Sequence, residues 1–151
     1  MQRGAEAAYW QRDVASIGVR TYDTATKTFP LQQSIGVAPG CALPSGTAVV
    51  TLAWTELTSL DSTDNGQLVT VTYVATGGSA PYELVRVRCN GSTSDSRTEV
   101  AHSLNAVPTI DCVPACSGTP ELVELSLSVL DPEGHGTTAY TATLSGERRQ
   151  S

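Results

Sequence analysis

The stretch AEAAYWQRDVASI at residues 5–17 decides the predicted fold, because it carries the one helical pattern of the chain. Its apolar side chains recur every three or four residues, which is the spacing of one face of a helix: Ala7, Trp10, Val14 and Ile17. Arg12 and Asp13 lie off that stripe. A helix this short is marginal in isolation, so we expect its tryptophan-bearing face to pack against a sheet.

The chain from Thr47 onward has the periodicity of strands. The predicted strands are Val49–Trp54, Gln67–Thr76, Tyr82–Cys89, Thr98–Leu104, Thr109–Val113, Glu121–Leu130 and Thr137–Leu144. The dipeptide Asn65-Gly66, between the first two, is typical of a hairpin turn. Regular alternation of apolar and polar residues predicts an antiparallel sheet with one buried face and one wetter face.

These patterns predict one α+β domain over residues 1–151, rich in β-structure, with the N-terminal amphipathic helix packed on an antiparallel β-sheet. Residues 1–22 would hold the helix and residues 47–146 the sheet. The prolines and glycines of residues 23–46 exclude a long helix there, so we expect an irregular arm with a short edge strand at Ser34–Val37.

The composition excludes several classes of function. Hydrophobic residues make up 40% of the chain and charged residues 16%, which indicates a folded globular protein. The net charge of −6 argues against nucleic-acid binding, which needs a surface rich in lysine and arginine. No run of residues approaches the roughly 18–20 apolar residues of a membrane span.

The four cysteines, Cys41, Cys89, Cys112 and Cys116, predict two disulfides in an oxidising compartment. Four cysteines allow three pairings, and the sequence does not choose among them. A pair between Cys112 and Cys116 requires a tight turn at Pro114, since an extended chain would separate them beyond disulfide reach. The alternative is a zinc site, although such sites usually contain two closely spaced cysteine pairs.

No catalytic residue and no cofactor site is predicted, so we expect a non-enzymatic protein. The two histidines, His102 and His135, lack partners at the spacing of metal ligands or nucleophiles. Asp61, Asp64 and Asn65 form a weak calcium candidate, because the same residue types dominate ordinary hairpin turns. Asn90-Gly91-Ser92 fits the glycosylation pattern, but this motif is short and common, so a plain turn is the preferred interpretation unless the protein is secreted through a eukaryotic pathway.

The order of these segments resembles the soluble part of bacterial type IV pilin-like proteins, especially minor pilins and minor pseudopilins. The segments that carry the resemblance are Tyr9–Ile17 running into Arg20–Asp23, the paired strands Val69–Tyr73 and Tyr82–Cys89, the following strand Thr98–Leu104, and the closing hairpin of Val123–Leu130 with Tyr140–Leu144. The family's processing site, Gly-Phe-Thr-Leu-x-Glu, and its apolar stretch are absent from the sequence.

The resemblance implies a pilin-like fold and a structural subunit of a type IV pilus, or of a pilus-like secretion or DNA-uptake filament, as a minor component at the tip or in priming. Its partners would be other pilin-like subunits and, through a missing N-terminal helix, the membrane. The location would be the cell envelope or the exterior. We expect the full gene to encode about 20 apolar residues upstream of Met1.

Two other classes of function stay open. An extracellular immunoglobulin-like or fibronectin-like binding or adhesion module suits the short strands and the turns rich in glycine and proline. Such a sandwich would show two packed sheets and no docked helix. A small hydrolase or metalloprotein would need a convergent cluster of His, Asp or Cys that the sequence does not show.

Overall fold

The computed structural model describes residues 2–17, 34–56, 67–130 and 139–148, with side chains from residue 7 onward. The described elements are α1 (Gln2–Ser16), β1 (Thr47–Glu56), β2 (Gln67–Thr76), β3 (Tyr82–Asn90), β4 (Thr93–Leu104), β5 (Thr109–Val113), β6 (Leu122–Leu130) and β7 (Ala139–Glu147). Each of the seven strands predicted from Thr47 onward has a counterpart among the described residues, but β4 begins at Thr93 instead of Thr98. The reason is a tight turn at Gly91-Ser92, where Gly91 adopts a φ of 60° that glycine tolerates without steric cost.

All seven strands belong to one antiparallel sheet. The hydrogen-bonded order runs β1-β2-β3-β4-β6, and β7 pairs with β6. Strands β4 and β5 follow one another along the same side of β6, since Leu104 pairs with Val129 and Thr109 with Ser126. The helix contacts β1, β4 and β7, which lie at the two ends and in the middle of the sheet. The sheet therefore curves around the helix and is nearly closed.

This architecture corrects the predicted fold class. Over the described residues the protein is mostly β, with one short helix packed within the curve of a single sheet, and it is not the predicted α+β pilin-like domain. The physical reason is the strong twist and coiling of a long antiparallel sheet, which brings distant strands together around one core. Alternation along individual strands carries no information about that curvature.

The burial of the central strands also differs from the prediction. Strand β6 alternates between buried and half-buried residues as expected, whereas seven consecutive residues of β2, Val69–Ala75, are buried. The second face of β2 is covered by the segment around Gly40, whose N–H donates to Thr70 Oγ1 at 2.9 Å. A disulfide between Cys41 and Cys89 joins this segment to β3. The described residues of the predicted arm thus cover the outer face of β2 and β3.

The free edge of β1 is partly occupied by the same arm. Ile35 forms an isolated antiparallel bridge with Leu52, close to the short edge strand predicted at Ser34–Val37. The N–H of Gly36 donates to Thr51 O at 3.0 Å, and the N–H of Ala53 donates to Ser34 O at 2.8 Å. These bonds satisfy backbone groups that an edge strand would otherwise expose.

Candidate functional site

The most developed polar site of the described residues lies between α1 and the sheet, and we call it the helix clamp: Trp10, Asp13, Tyr73 and Arg86. Arg86 on β3 donates twice to Asp13, from Nε to Oδ2 at 2.8 Å and from Nη2 to Oδ1 at 2.7 Å. Tyr73 on β2 donates its hydroxyl to Asp13 Oδ2 at 2.5 Å. Both charged side chains are nearly inaccessible, with 4% exposed for Arg86 and 1% for Asp13.

Aromatic contacts complete the helix clamp. The rings of Trp10 and Tyr73 meet edge to face, with centroids 5.1 Å apart and planes at 71°. Trp10 Nε1 donates to Val123 O on β6 at 3.1 Å. The guanidinium of Arg86 also lies 4.8 Å from the ring centroid of Tyr9, which is within the range of a cation–π contact. The helix is therefore bonded to β2, β3 and β6 at once.

The buried charges shift the ionisation of their neighbours. Burial, together with the adjacent Asp13 carboxylate, raises the pKa of Tyr73 well above its ordinary value. Burial by itself would lower the pKa of Arg86, but its hydrogen bonds and attraction to Asp13 leave that pKa raised. Tyr73 therefore stays a neutral donor and Arg86 a cation. Both Asp13 oxygens accept bonds from inside the protein, and the geometry is that of a structural clamp.

Sequence reasoning missed three members of the helix clamp. Asp13 was expected off the buried stripe, yet it is 1% exposed. Because the sheet wraps around the helix, a wider face of α1 is buried than one stripe of apolar residues indicates. Arg86 lies between two valines, Val85 and Val87, so the sequence predicted its strand. Nothing in the sequence indicated that Arg86 would pair with Asp13 on the distant helix.

The structure places the predicted helix–sheet residues at this junction. Trp10, Val14 and Ile17 are buried in the core, and Ala7 packs against it from a half-buried position. Val14 lies so close to β7 that a Cβ atom added at Gly146 would be 2.6 Å from the Val14 Cβ. Glycine at position 146 therefore allows the helix to approach the sheet backbone.

A second polar cluster joins β1, β3 and β4. Arg88 donates to Glu56 Oε1 at 2.9 Å through Nη2 and to Asp95 Oδ2 at 2.7 Å through Nε. Trp54 Nε1 donates to Glu56 Oε2 at 2.8 Å. The hydrogen bond from Arg88 lowers the pKa of Glu56, and the same bond raises the pKa of Arg88. With 44% of the Glu56 side chain exposed, solvent screens this cluster far more than the helix clamp.

The four cysteines form two disulfides, Cys41–Cys89 and Cys112–Cys116, which confirms the predicted disulfides and decides the pairing. No cysteine is left for a zinc site. Two disulfides fit an oxidising, extracellular or envelope environment.

The remaining candidates are histidines and carboxylates that could bind a metal ion. Within the ranges the structure describes, no three His, Cys, Asp or Glu side chains converge to hold a metal ion. The calcium candidates Asp61, Asp64 and Asn65, and also His135, lie outside the described residues. His102 is 60% exposed on β4, with Nδ1 3.9 Å from Glu99 Oε1. Among the described residues no helix has the length and apolar character to cross a membrane.

Comparison of the chain with protein-family models, with curated proteins and with solved structures finds no match. The resemblance to pilin-like proteins therefore stays a prediction.

Proposed function

We propose that this chain is a non-enzymatic structural subunit of a pilus or pilus-like secretion or DNA-uptake filament, as a minor tip or priming component, in which α1 is the element that joins the subunit to its neighbours. The observation that carries the proposal is the helix clamp. It ties α1 to three strands through a buried ion pair, a phenol and an indole. The proposal does not depend on the pilin-like α+β architecture, which the structure overturns.

The helix clamp suits a helix that transmits load. If α1 continues upstream into a membrane anchor or filament core, pulling on the sheet acts directly on the contact between α1 and the sheet. The two disulfides stabilise the exposed part of such a subunit outside the cytoplasm. One helix face stays available for neighbours, since Ala8, Gln11 and Arg12 are exposed. The partners would be pilin-like subunits of the same filament.

The test is site-specific photo-crosslinking in cells that make the natural full-length protein. A photoreactive amino acid at Gln11, exposed on α1, should cross-link to other filament subunits. The matched control position is Ser94, exposed near the start of β4. Equal cross-linking at both positions, or none at Gln11, would count against assembly through the helix, as would a natural reading frame that begins at Met1.

The alternative of an extracellular immunoglobulin-like or fibronectin-like binding or adhesion module has less support. That alternative expects two packed sheets without a docked helix, whereas the described strands form one sheet around α1. A soluble partner captured by the sheet surface, with no cross-link from Gln11, would favour this alternative.

A further inference from the structure

The two disulfides differ in their access to solvent. Cys89 is fully buried beneath the arm that covers β2 and β3, and its partner Cys41, in that arm, is half-buried. Cys112 is buried at 8% exposure, but its partner Cys116 is exposed, in an exposed loop that follows Val113 at the end of β5. A thiolate must reach a sulfur atom to exchange with it, so access separates a protected disulfide from a reactive one.

Hydrogen bonds attach the residues that follow the Cys112–Cys116 loop to the rest of the protein. The N–H of Glu121 donates to Val113 O at 2.8 Å and closes the base of the loop. The carbonyl of Gly118, further along, accepts the N–H of Ser34 at 2.7 Å. The Cys112–Cys116 disulfide spans a sequence separation of 4 and therefore constrains the chain just before Gly118. Gly118 in turn contacts Ser34, which is distant in the sequence.

Ser34 is the point where this loop meets the helix and the sheet. Its Oγ donates to Ile17 O at the end of α1, at 3.0 Å, and its carbonyl accepts the N–H of Ala53 on β1 at 2.8 Å. Ser34 is itself 5% exposed. We call these three contacts, with Gly118, Ile17 and Ala53, the Ser34 junction. Ser34 thus links the end of the helix to Gly118, two residues beyond the Cys112–Cys116 loop.

We infer that Cys112–Cys116 is a site of thiol–disulfide exchange, at which a dithiol reductant opens the loop and loosens the Ser34 junction at the end of α1. One thiolate of the dithiol attacks Sγ of Cys116, the Sγ–Sγ bond breaks, and Cys112 leaves as a thiolate that takes a proton from water. The second thiol of the dithiol then loses its proton and attacks the other sulfur of the same dithiol, which is bonded to Cys116 Sγ in the mixed disulfide. It releases Cys116 as a thiolate, which is protonated in turn. The dithiol is oxidised to a disulfide, and the protein gains two electrons and two protons. This inference is independent of the proposed filament role.

The experiment is graded reduction of the folded protein with dithiothreitol, followed by alkylation and peptide mapping. Cys112 and Cys116 should be alkylated at least about tenfold faster than Cys41 and Cys89, whose reduction requires an opening of the covering arm. The amide of Ser34, followed by NMR-detected hydrogen exchange, should lose protection by a similar factor after the first reduction. The control is the amide of Gly40, bonded to Thr70 beside the other disulfide, which should keep its protection.

A double variant, Cys112→Ser with Cys116→Ser, should reproduce the faster exchange at Ser34 without reductant. If that variant fails to fold, graded reduction of the unaltered protein still decides the matter. Reduction of Cys41–Cys89 first, or of both disulfides at one rate, would overturn the inference. Unchanged exchange at Ser34 after selective reduction would overturn it as well.

Discussion

Replacing Asp13 by alanine tests the helix clamp most directly. The substitution leaves the Arg86 side chain, 4% exposed, without its counter-ion, and it removes the acceptor of the Tyr73 hydroxyl. Breaking a buried ion pair on one side costs about 3–5 kcal/mol, because an uncompensated charge stays out of water. The lost acceptor of Tyr73 adds to the same local defect, and the two costs overlap because they share one carboxylate.

We therefore expect Asp13→Ala to lower the free energy of unfolding by about 3–5 kcal/mol, a large part of the roughly 5–15 kcal/mol that holds a typical domain together. The melting temperature should fall by roughly 6–20 °C for a chain of this size. Urea unfolding followed by circular dichroism gives the free energy. Its slope with urea should be unchanged if only the folded state is destabilised.

The matched control is Glu99→Ala, which removes an exposed carboxylate whose side chain is 48% accessible. Its effect should stay within about 0.5 kcal/mol. The double variant Asp13→Leu with Arg86→Met removes both charges and should be more stable than Asp13→Ala alone, since no buried charge is left unpaired. A loss below about 1 kcal/mol for Asp13→Ala, or a double variant at least as unstable as the single one, would refute the reasoning.

Three further predictions concern pH and packing. In the folded protein the phenol of Tyr73 should stay protonated above the ordinary tyrosine pKa of 10.0. Because the unfolded state loses this proton first, the free energy of unfolding should fall as pH rises above that value. Ultraviolet titration should show one tyrosine that ionises only on unfolding. Because the pKa of Glu56 is lowered in the folded protein, this group stabilises the fold above the ordinary pKa of 4.5, and that stability is lost as pH falls through the folded pKa. We call this loss of stability at low pH the acid limb. Glu56→Gln should reduce it by less than about 1 kcal/mol, measured by urea unfolding across pH. Gly146→Ala should cost roughly 1–3 kcal/mol in the same assay, because the new Cβ would lie 2.6 Å from Val14 Cβ.

Each of these predictions has a control and a contradicting result. Tyr73→Phe should abolish the late tyrosine step; an unaltered titration would mean that another tyrosine is responsible. The comparison variant is Asp111→Asn, at an exposed carboxylate on β5, and an equal flattening by both variants would contradict a specific role of Glu56. A Cβ at Gly78 would meet no atom within 4 Å, so Gly78→Ala should be nearly neutral; a neutral Gly146→Ala would contradict the close approach of the helix.

Much of the local structure was predictable from the sequence. The stripe of Trp10, Val14 and Ile17 predicted a helix with a buried face, and the alternation of Val123 to Val129 predicted β6. These features depend on residues two to four positions apart, so short segments of the sequence are enough to predict them. The even cysteine count likewise predicted two disulfides without their pairing.

The parts that the sequence left open all involve segments far apart in the chain. The curvature of the sheet around α1, the burial of both faces of β2 and the pairing of Cys41 with Cys89 depend on how distant strands meet. Asp13 shows the reason most clearly. By itself it is a charged residue beside an apolar stripe, and its burial is tolerated only because Arg86, 73 positions along the chain, is brought within 2.7 Å of it. Periodicity decided which residues form the helix and the strands, and the tertiary fold decided which buried charge is neutralised by which partner.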